Sequence, residues 1–357
     1  MKINFVGDLI FGDQPVKFGY GFDSQHSSQA YASVFDGVRQ AFGTADFTVA
    51  NFEAVIKPRM ARTHVSNWSM CCDQSVAPVL ADAGVSVVSV ANNHTMDYSV
   101  GDYQYTIAQV QAAGIRIIGQ KECPYTVLSQ DGERVAVIGV SYIQVAHTPA
   151  YFCNPTDEQW QAVMEQLEAQ QVAKRIVYVH WGSEFIFHPT QRQLEIARSL
   201  TRLPIDAVVG HHPHILQAKG LVQAKPVVFS LGNFVSDYWQ ERARKTEILR
   251  LTTDLQLSDH YETIACKIDE NGIPHVVEEA LSLQLSEYDD TVSDNREVAA
   301  QRSVLRKEYM CEFLRHFYKI KGKLQFARWV ISRLLFIVKY HRLEKTRPEI
   351  IYEKYQH

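Results

Sequence analysis

Several signals that would mark a specialised chain are missing from these 357 residues. No apolar run approaches the about 18 residues of a membrane span. The longest, Trp329 to Val338, covers ten and contains Arg333, which argues against a transmembrane helix. No secretory h-region develops at the start, because Ile3-Asn4-Phe5-Val6 reads as a strand and Gly7-Asp8 interrupts it, so the chain is expected to begin at Met1. The 6 Cys form no C-x-x-C pair and no zinc spacing, as expected of reduced, buried or indifferent thiols in a cytoplasmic protein. There is no internal repeat, no low-complexity stretch, no Gly-rich phosphate loop and no recognisable Ser/His/Asp or Cys/His set. Disordered, collagenous and disulfide-framework classes are excluded as well, since hydrophobic residues make up 46% and charged residues 21%.

Charge of one sign is scarce only in part of the chain. The formal total of -4 gives no reason to expect nucleic acid as a partner, but residues 302–357 hold 14 Lys+Arg against 5 Asp+Glu. That segment is therefore +9 and residues 1–301 are -13. Asp289–Asn295 reads as a polar linker, so the expected domains are residues 1–290 and a basic C-terminal helical extension, 291–357. Within the extension, Arg302–Leu343 reads as two basic amphipathic helices broken near Gly322.

Short, β-branched runs recur at Ile3–Val6, Phe47–Ala50, Val85–Val90, Ile176–Val179, Ala207–Val209 and Val227–Phe229. Being almost continuously apolar, they suit strands covered on both faces. Helical spacing is found at Tyr31–Phe42, Gln74–Ala83, Val100–Ala113, Thr156–Ala173 and Gln191–Leu203. The alternation argues for an α/β body. Hairpin signals at Gln130-Asp131-Gly132 and Asn271-Gly272, flanked by alternating runs, argue for mixed sheets packed as a sandwich rather than a closed barrel.

Each of the six runs is followed by residues able to hold a metal or a substrate. These are Asp8; Asn51 and Glu53; Asn92, Asn93 and His94; His180 and Glu184; His211, His212 and His214; and Asn233. The carboxyl ends of strands form the functional edge of α/β folds, so these groups can converge. Singly they are weaker: Asp8 could cap a turn, Glu53 could be a solvated strand end and His180 a core histidine. Pro213 restricts His212 and fixes its own φ, which predicts an extended backbone with His212 and His214 on one side and His211 pointing away. Imidazoles, carboxylates and an amide oxygen make a mixed N/O set suited to one or two divalent ions of Zn, Mn or Fe, and the lack of thiolates argues against a structural zinc.

Gly7-Asp8, Asn51-Phe52-Glu53, Ala91 to Tyr98, His180-Trp181-Gly182-Ser183-Glu184, Gly210 to Gln217 and Ser230-Leu231-Gly232-Asn233-Phe234 together resemble the successive motifs of the CapA family. This is the bacterial capsule and poly-γ-glutamate biosynthesis family, similar in fold to calcineurin-like metallophosphoesterases. The resemblance covers about residues 1–240 and implies a four-layer α/β/β/α sandwich with Asp8, Glu53, Asn93, His180, His212 and His214 as metal ligands. It implies His94 as the acid that protonates a leaving oxygen, Glu184 as the group orienting water or a ligand histidine, and Asn92, Asp97 and Asn233 as substrate contacts. Asp8-Leu9-Ile10 departs from the Asp-x-His start of metallophosphoesterases.

The activity so implied is a metal-dependent phosphoester hydrolase serving capsule, exopolysaccharide or poly-γ-glutamate synthesis. Alternatives are hydrolysis of γ-glutamyl amide bonds, or a non-catalytic metal-binding component of a polymer synthase. The expected partners are an anionic polymer or phosphoester, with a membrane-bound capsule synthase or an anionic membrane surface for the basic extension. The expected location is cytoplasmic, peripheral at the inner membrane face if the extension docks there.

Overall fold

The computed structural model describes residues 1–26, 30–58, 70–143, 150–253 and 261–319. The second amphipathic segment expected in the extension lies outside them. Two sheets dominate. The first runs in the order Pro274–Val276, Tyr261–Ile268, Lys245–Thr252, Lys2–Leu9, Phe47–Phe52, Val87–Ser89, Arg116–Ile118. Asn233–Val235 also pairs with Lys2–Leu9, and Leu281–Leu283 with Tyr261–Ile268. The second sheet runs Lys219–Val222, Lys225–Val228, Ala207–His211, Lys174–His180, Glu133–Ser141, Tyr125–Gln130. Parallel pairing fills the middle of each, and antiparallel strands flank it.

Side-chain alternation builds the layers. Val135 and Val137 face inward, with Ile176, Tyr178 and Val209 of the same sheet and Ile3, Phe5, Val49 and Val87 of the other, forming the sheet-to-sheet core. Ala136, Ile138 and Val140, on the opposite parity, meet the helices Asp157–Ala169 and Gln191–Leu200. The first of these presents Trp160, Val163, Met164 and Leu167, spaced as one helical face. The first sheet's outer face, including Val6, Ala50, Phe52 and Val88, is covered by Val76–Asp82 and Val100–Ala112. The result is the expected four-layer α/β/β/α sandwich.

Differences from the sequence reading are local. Tyr31–Phe42 is not one helix: it holds a 3-10 turn, Ala30–Ser33, and the single turn Arg39–Phe42. Its apolar residues Val34, Phe35, Val38 and Phe42 still reach the core at helix-like spacing. Thr156 caps its helix through a reciprocal box with Gln159, but that helix stops at Ala169, before the expected Ala173. Asp131 and Gly132 both take positive φ, 51° and 81°, as a two-residue hairpin requires. Cys123, Cys153, Cys266 and Cys311 are free thiols. Among the described residues no helix is long and apolar enough to cross a membrane.

Candidate metal centre

Register brings the motif residues together. Asp8 pairs laterally with Asn51, and His180 with His211, at the carboxyl ends of parallel strands, while Asn233, also beside Asp8, opens the strand Asn233–Val235. Close backbone approach needs glycine at the entrance to the first motif. A Cβ on Gly7 would stand 1.9 Å from the Gly232 carbonyl oxygen, and Asp8 N donates to that same oxygen at 3.1 Å.

Asp8 lies at the middle. Its Oδ1 accepts from Asn51 Nδ2 at 2.8 Å and lies 3.2 Å from His211 Nδ1. Its Oδ2 accepts from the His212 backbone N–H at 3.1 Å and lies 3.3 Å from His214 Nδ1. His180 spans two neighbours, with Nδ1 2.8 Å from His211 Nδ1 and Nε2 2.7 Å from Asn93 Oδ1. Glu53 Oε1 is 3.7 Å from His180 Nε2 and 3.9 Å from His94 Nε2. Two groups of donors follow, Asp8 with His180 and His211, and Glu53 with His212 and His214; within each, the ligand atoms lie within 4.8 Å of one another. All six residues are buried.

The electrostatics prepare the groups for a cation. Burial works against ionisation of Asp8, but hydrogen bonds from His211 and His214 hold its pKa well below the ordinary carboxylate value. Burial, followed by the charges of Asp8 and Glu184, pushes Glu53 well above it. Burial and neighbouring imidazoles hold His180 and His212 well below the usual histidine range, so both are neutral and ligand-competent. Glu53 Oε1, His211 Nε2 and His212 Nδ1 are buried without a hydrogen-bond partner, which is uncommon in a folded interior. A divalent ion would satisfy such atoms and let both carboxylates ionise together, so the residues present fit one or two ions of that kind.

Around this set, His94 is half-buried, with Nδ1 2.7 Å from Asp97 Oδ2 and Nε2 turned toward Glu53. Burial lowers its pKa, but Asp97, Glu184 and Asp8 outweigh that and leave it raised. Glu184 is half-buried with its charge felt at Glu53 and His94. Asn92 is fully buried, donating to Asn51 Oδ1 and Phe52 O and accepting from His94 N. Asn233, also fully buried, holds His214: its Oδ1 is 2.9 Å from His214 Nδ1, and its Nδ2 donates to the His214 and Ala243 carbonyls. Both amides are engaged within the protein, and Asp97 is exposed beside His94.

One expectation is corrected. His212 and His214 are not extended; their φ values are 97° and 59°. Those left-handed turns around Pro213 defeat the alternation argument and swing His211 into the centre. Asn51, absent from the expected ligand and contact set, touches Asp8, Glu53 and His180. Its signal was available, since Asn51 precedes Glu53 by two residues at the end of the strand Phe47–Phe52.

Residues 2–238 match the family model described as bacterial capsule synthesis protein PGA_cap. The chain belongs to this family. Among relatives of this PGA_cap protein, the PGA biosynthesis protein CapA of Bacillus subtilis (strain 168) is 25% identical over 271 residues, covering 70% of this chain and 67% of that protein. The capsule biosynthesis protein CapA of Bacillus anthracis is 25% identical over 268 residues, covering 70% of this chain but only 63% of its own length. A solved structure of a phosphatase from Mycoplasma pneumoniae aligns with a TM-score of 0.44 at 11% identity, over 84% of this chain and 96% of that one.

Proposed function

We propose that this PGA_cap protein is a divalent-metal-dependent phosphoester hydrolase working in the synthesis of an anionic capsular polymer. The observation that carries the reading is the pair of buried three-donor groups, with unpartnered ligand atoms, set against the more accessible His94–Asp97 couple. Membership of a capsule synthesis family and the names of its CapA relatives support the polymer setting. At such a site, divalent metal supplies Lewis acidity toward an anionic oxygen and lowers the pKa of a water. Asp97 fixes the His94 ring through Nδ1, so that Nε2 delivers a proton to the leaving oxygen. Glu184 orients water at the rim. Asn51 and Asn233 hold Asp8 and His214 in place, and Asn93 Oδ1 stands against His180 Nε2, where it can serve as the ligand the sequence suggests.

Elemental analysis of the purified protein, followed by a chromogenic phosphodiester assay on the same sample, tests this. His212→Ala is expected to lose both metal and turnover. His94→Ala is expected to keep its metal and turn over about 10²–10⁴-fold more slowly. A wild-type protein without bound Mn, Zn or Fe, or undiminished turnover in His94→Ala, overturns the assignment.

A further inference from the structure

The helix Asn295–His316 lies beyond the residues matched by the family model, yet it packs on segments that carry the centre. Gln301 Oε1 accepts from Phe187 N at 3.0 Å, and Glu308 takes both terminal nitrogens of Arg242. Leu305 and Tyr309 pack on a buried cluster that includes Ile10, Phe185, Ile215 and Tyr238. The Tyr238 and Phe185 rings in turn stand 5.2 and 5.9 Å from the His214 ring. The seam has a third polar contact. Arg302 Nη2 donates to Ser183 Oγ at 3.2 Å, and Ser183 is the residue beside Glu184.

Charge gives that contact its meaning. The acidic groups around the centre are Asp8, Glu53, Asp97 and Glu184, with His94 beside them. Nearby cations have other partners: Lys57 pairs with Asp102, Lys17 with the Asp237 carbonyl, Arg242 with Glu308. Arg302 is exposed, and apart from its bond to Ser183 its guanidinium has no partner among the described residues. A planar guanidinium presents parallel N–H groups that match a carboxylate or phosphate bidentately. An anionic chain with one group at the centre would bring its next group toward this side.

We propose that Arg302 is a substrate-binding residue of this site, supplied by a helix outside the family's matched region, and that it selects substrates carrying a second anionic group next to the reacting one. The proposal deepens the reading given under Proposed function and rests on it.

The test uses the full chain loaded with Mn and titrated calorimetrically at low salt with a γ-linked glutamate hexamer. Arg302→Ala is expected to bind about tenfold more weakly, with metal content and melting temperature as in wild type. Arg302→Lys recovers part of the loss, because it keeps the charge without the fork. Arg296→Ala removes the same charge from the same helix about 120° away and is expected to bind as wild type. Unchanged affinity in Arg302→Ala, an equal loss in Arg296→Ala, or no hexamer binding by wild type overturns the proposal. A chromogenic phosphodiester assay on the same samples separates the two readings: if wild type shows no turnover the hydrolase falls, while the hexamer titration alone decides Arg302.

Discussion

His212 and His214 occupy the left-handed region, at φ 97° and 59°, where an L side chain costs about 1–2 kcal/mol. Strain of this kind persists where the surroundings over-determine it and clusters at functional sites. Here the His212 backbone N–H is tied to Asp8 and the His214 ring to Asn233. At an ordinary position glycine is less stable than alanine; at His212 the order is expected to invert. Urea unfolding of the metal-free variants should show His212→Gly more stable than His212→Ala by about 1 kcal/mol. The opposite order would mean that the turn is not held as the structure has it. A second residue-scale prediction concerns Asp13, whose pKa burial raises from 3.8 to about 6, with hydrogen bonds from Ser24 and Gly19 acting against the rise and the charge of Asp237 adding to it. The folded state keeps a proton that the unfolded chain releases, so this contribution is present below about pH 4 and lost as pH rises through about 6, at a cost of about 3 kcal/mol. Unfolding midpoints in Asp13→Asn should therefore fall less between these pH values than in wild type, and equal slopes would contradict the buried carboxyl.

Elements were legible where one face meets one layer. Helical spacing from Thr156 announced a helix, Asp131-Gly132 a hairpin, and the six apolar runs lie on six strands, five of which lead at their carboxyl ends into the site. The segment Tyr31–Phe42 was misread because its apolar spacing satisfies the core without a continuous helix: Val34, Phe35, Val38 and Phe42 are buried from turns. Periodicity reports which residues go inside, not which backbone carries them there. His211 shows the same limit at the site, since parity along an extended chain cannot anticipate positive φ on either side of Pro213. Packing between elements also explains a residue that no local rule demands. A Cβ on Gly210 would stand 2.3 Å from the Phe229 carbonyl oxygen and 2.4 Å from Trp181 Nε1, two atoms already joined by a 2.8 Å hydrogen bond. Relief requires the strand Ala207–His211 to shift, and His211 moves with it. Gly210→Ala is expected to destabilise the fold by about 3 kcal/mol and to weaken metal binding, read by thermal unfolding and metal titration; a variant as stable as wild type would show that the strands have more room than this.

At the scale of the molecule, charge and packing divide the chain differently. The sign of the charge changes near residue 301, with -13 before and +9 after it, which suggests a separable appendage. The helix Asn295–His316 crosses that boundary, starting from an Asp294 cap that accepts from the Arg296 and Glu297 backbone N–H groups. Its Leu305 and Tyr309 side chains, half-buried, lie on the apolar cluster of Ile10, Phe185 and Tyr238, and Tyr309 meets Trp239 edge-on at 4.9 Å. Glu308 is paired with Arg242, whose guanidinium lies over the Phe185 ring at 5.5 Å. Removing the helix would expose the side of the cluster that supports His214. A chain ended at residue 293 is therefore expected to melt about 5 °C or more below the full chain, from the lost burial of two large side chains, and to bind Mn less tightly as the Tyr238 and Phe185 rings lose their backing. If the shortened chain melts and binds metal as the full one does, the helix is an appendage after all, and the centre is complete within the residues the family shares.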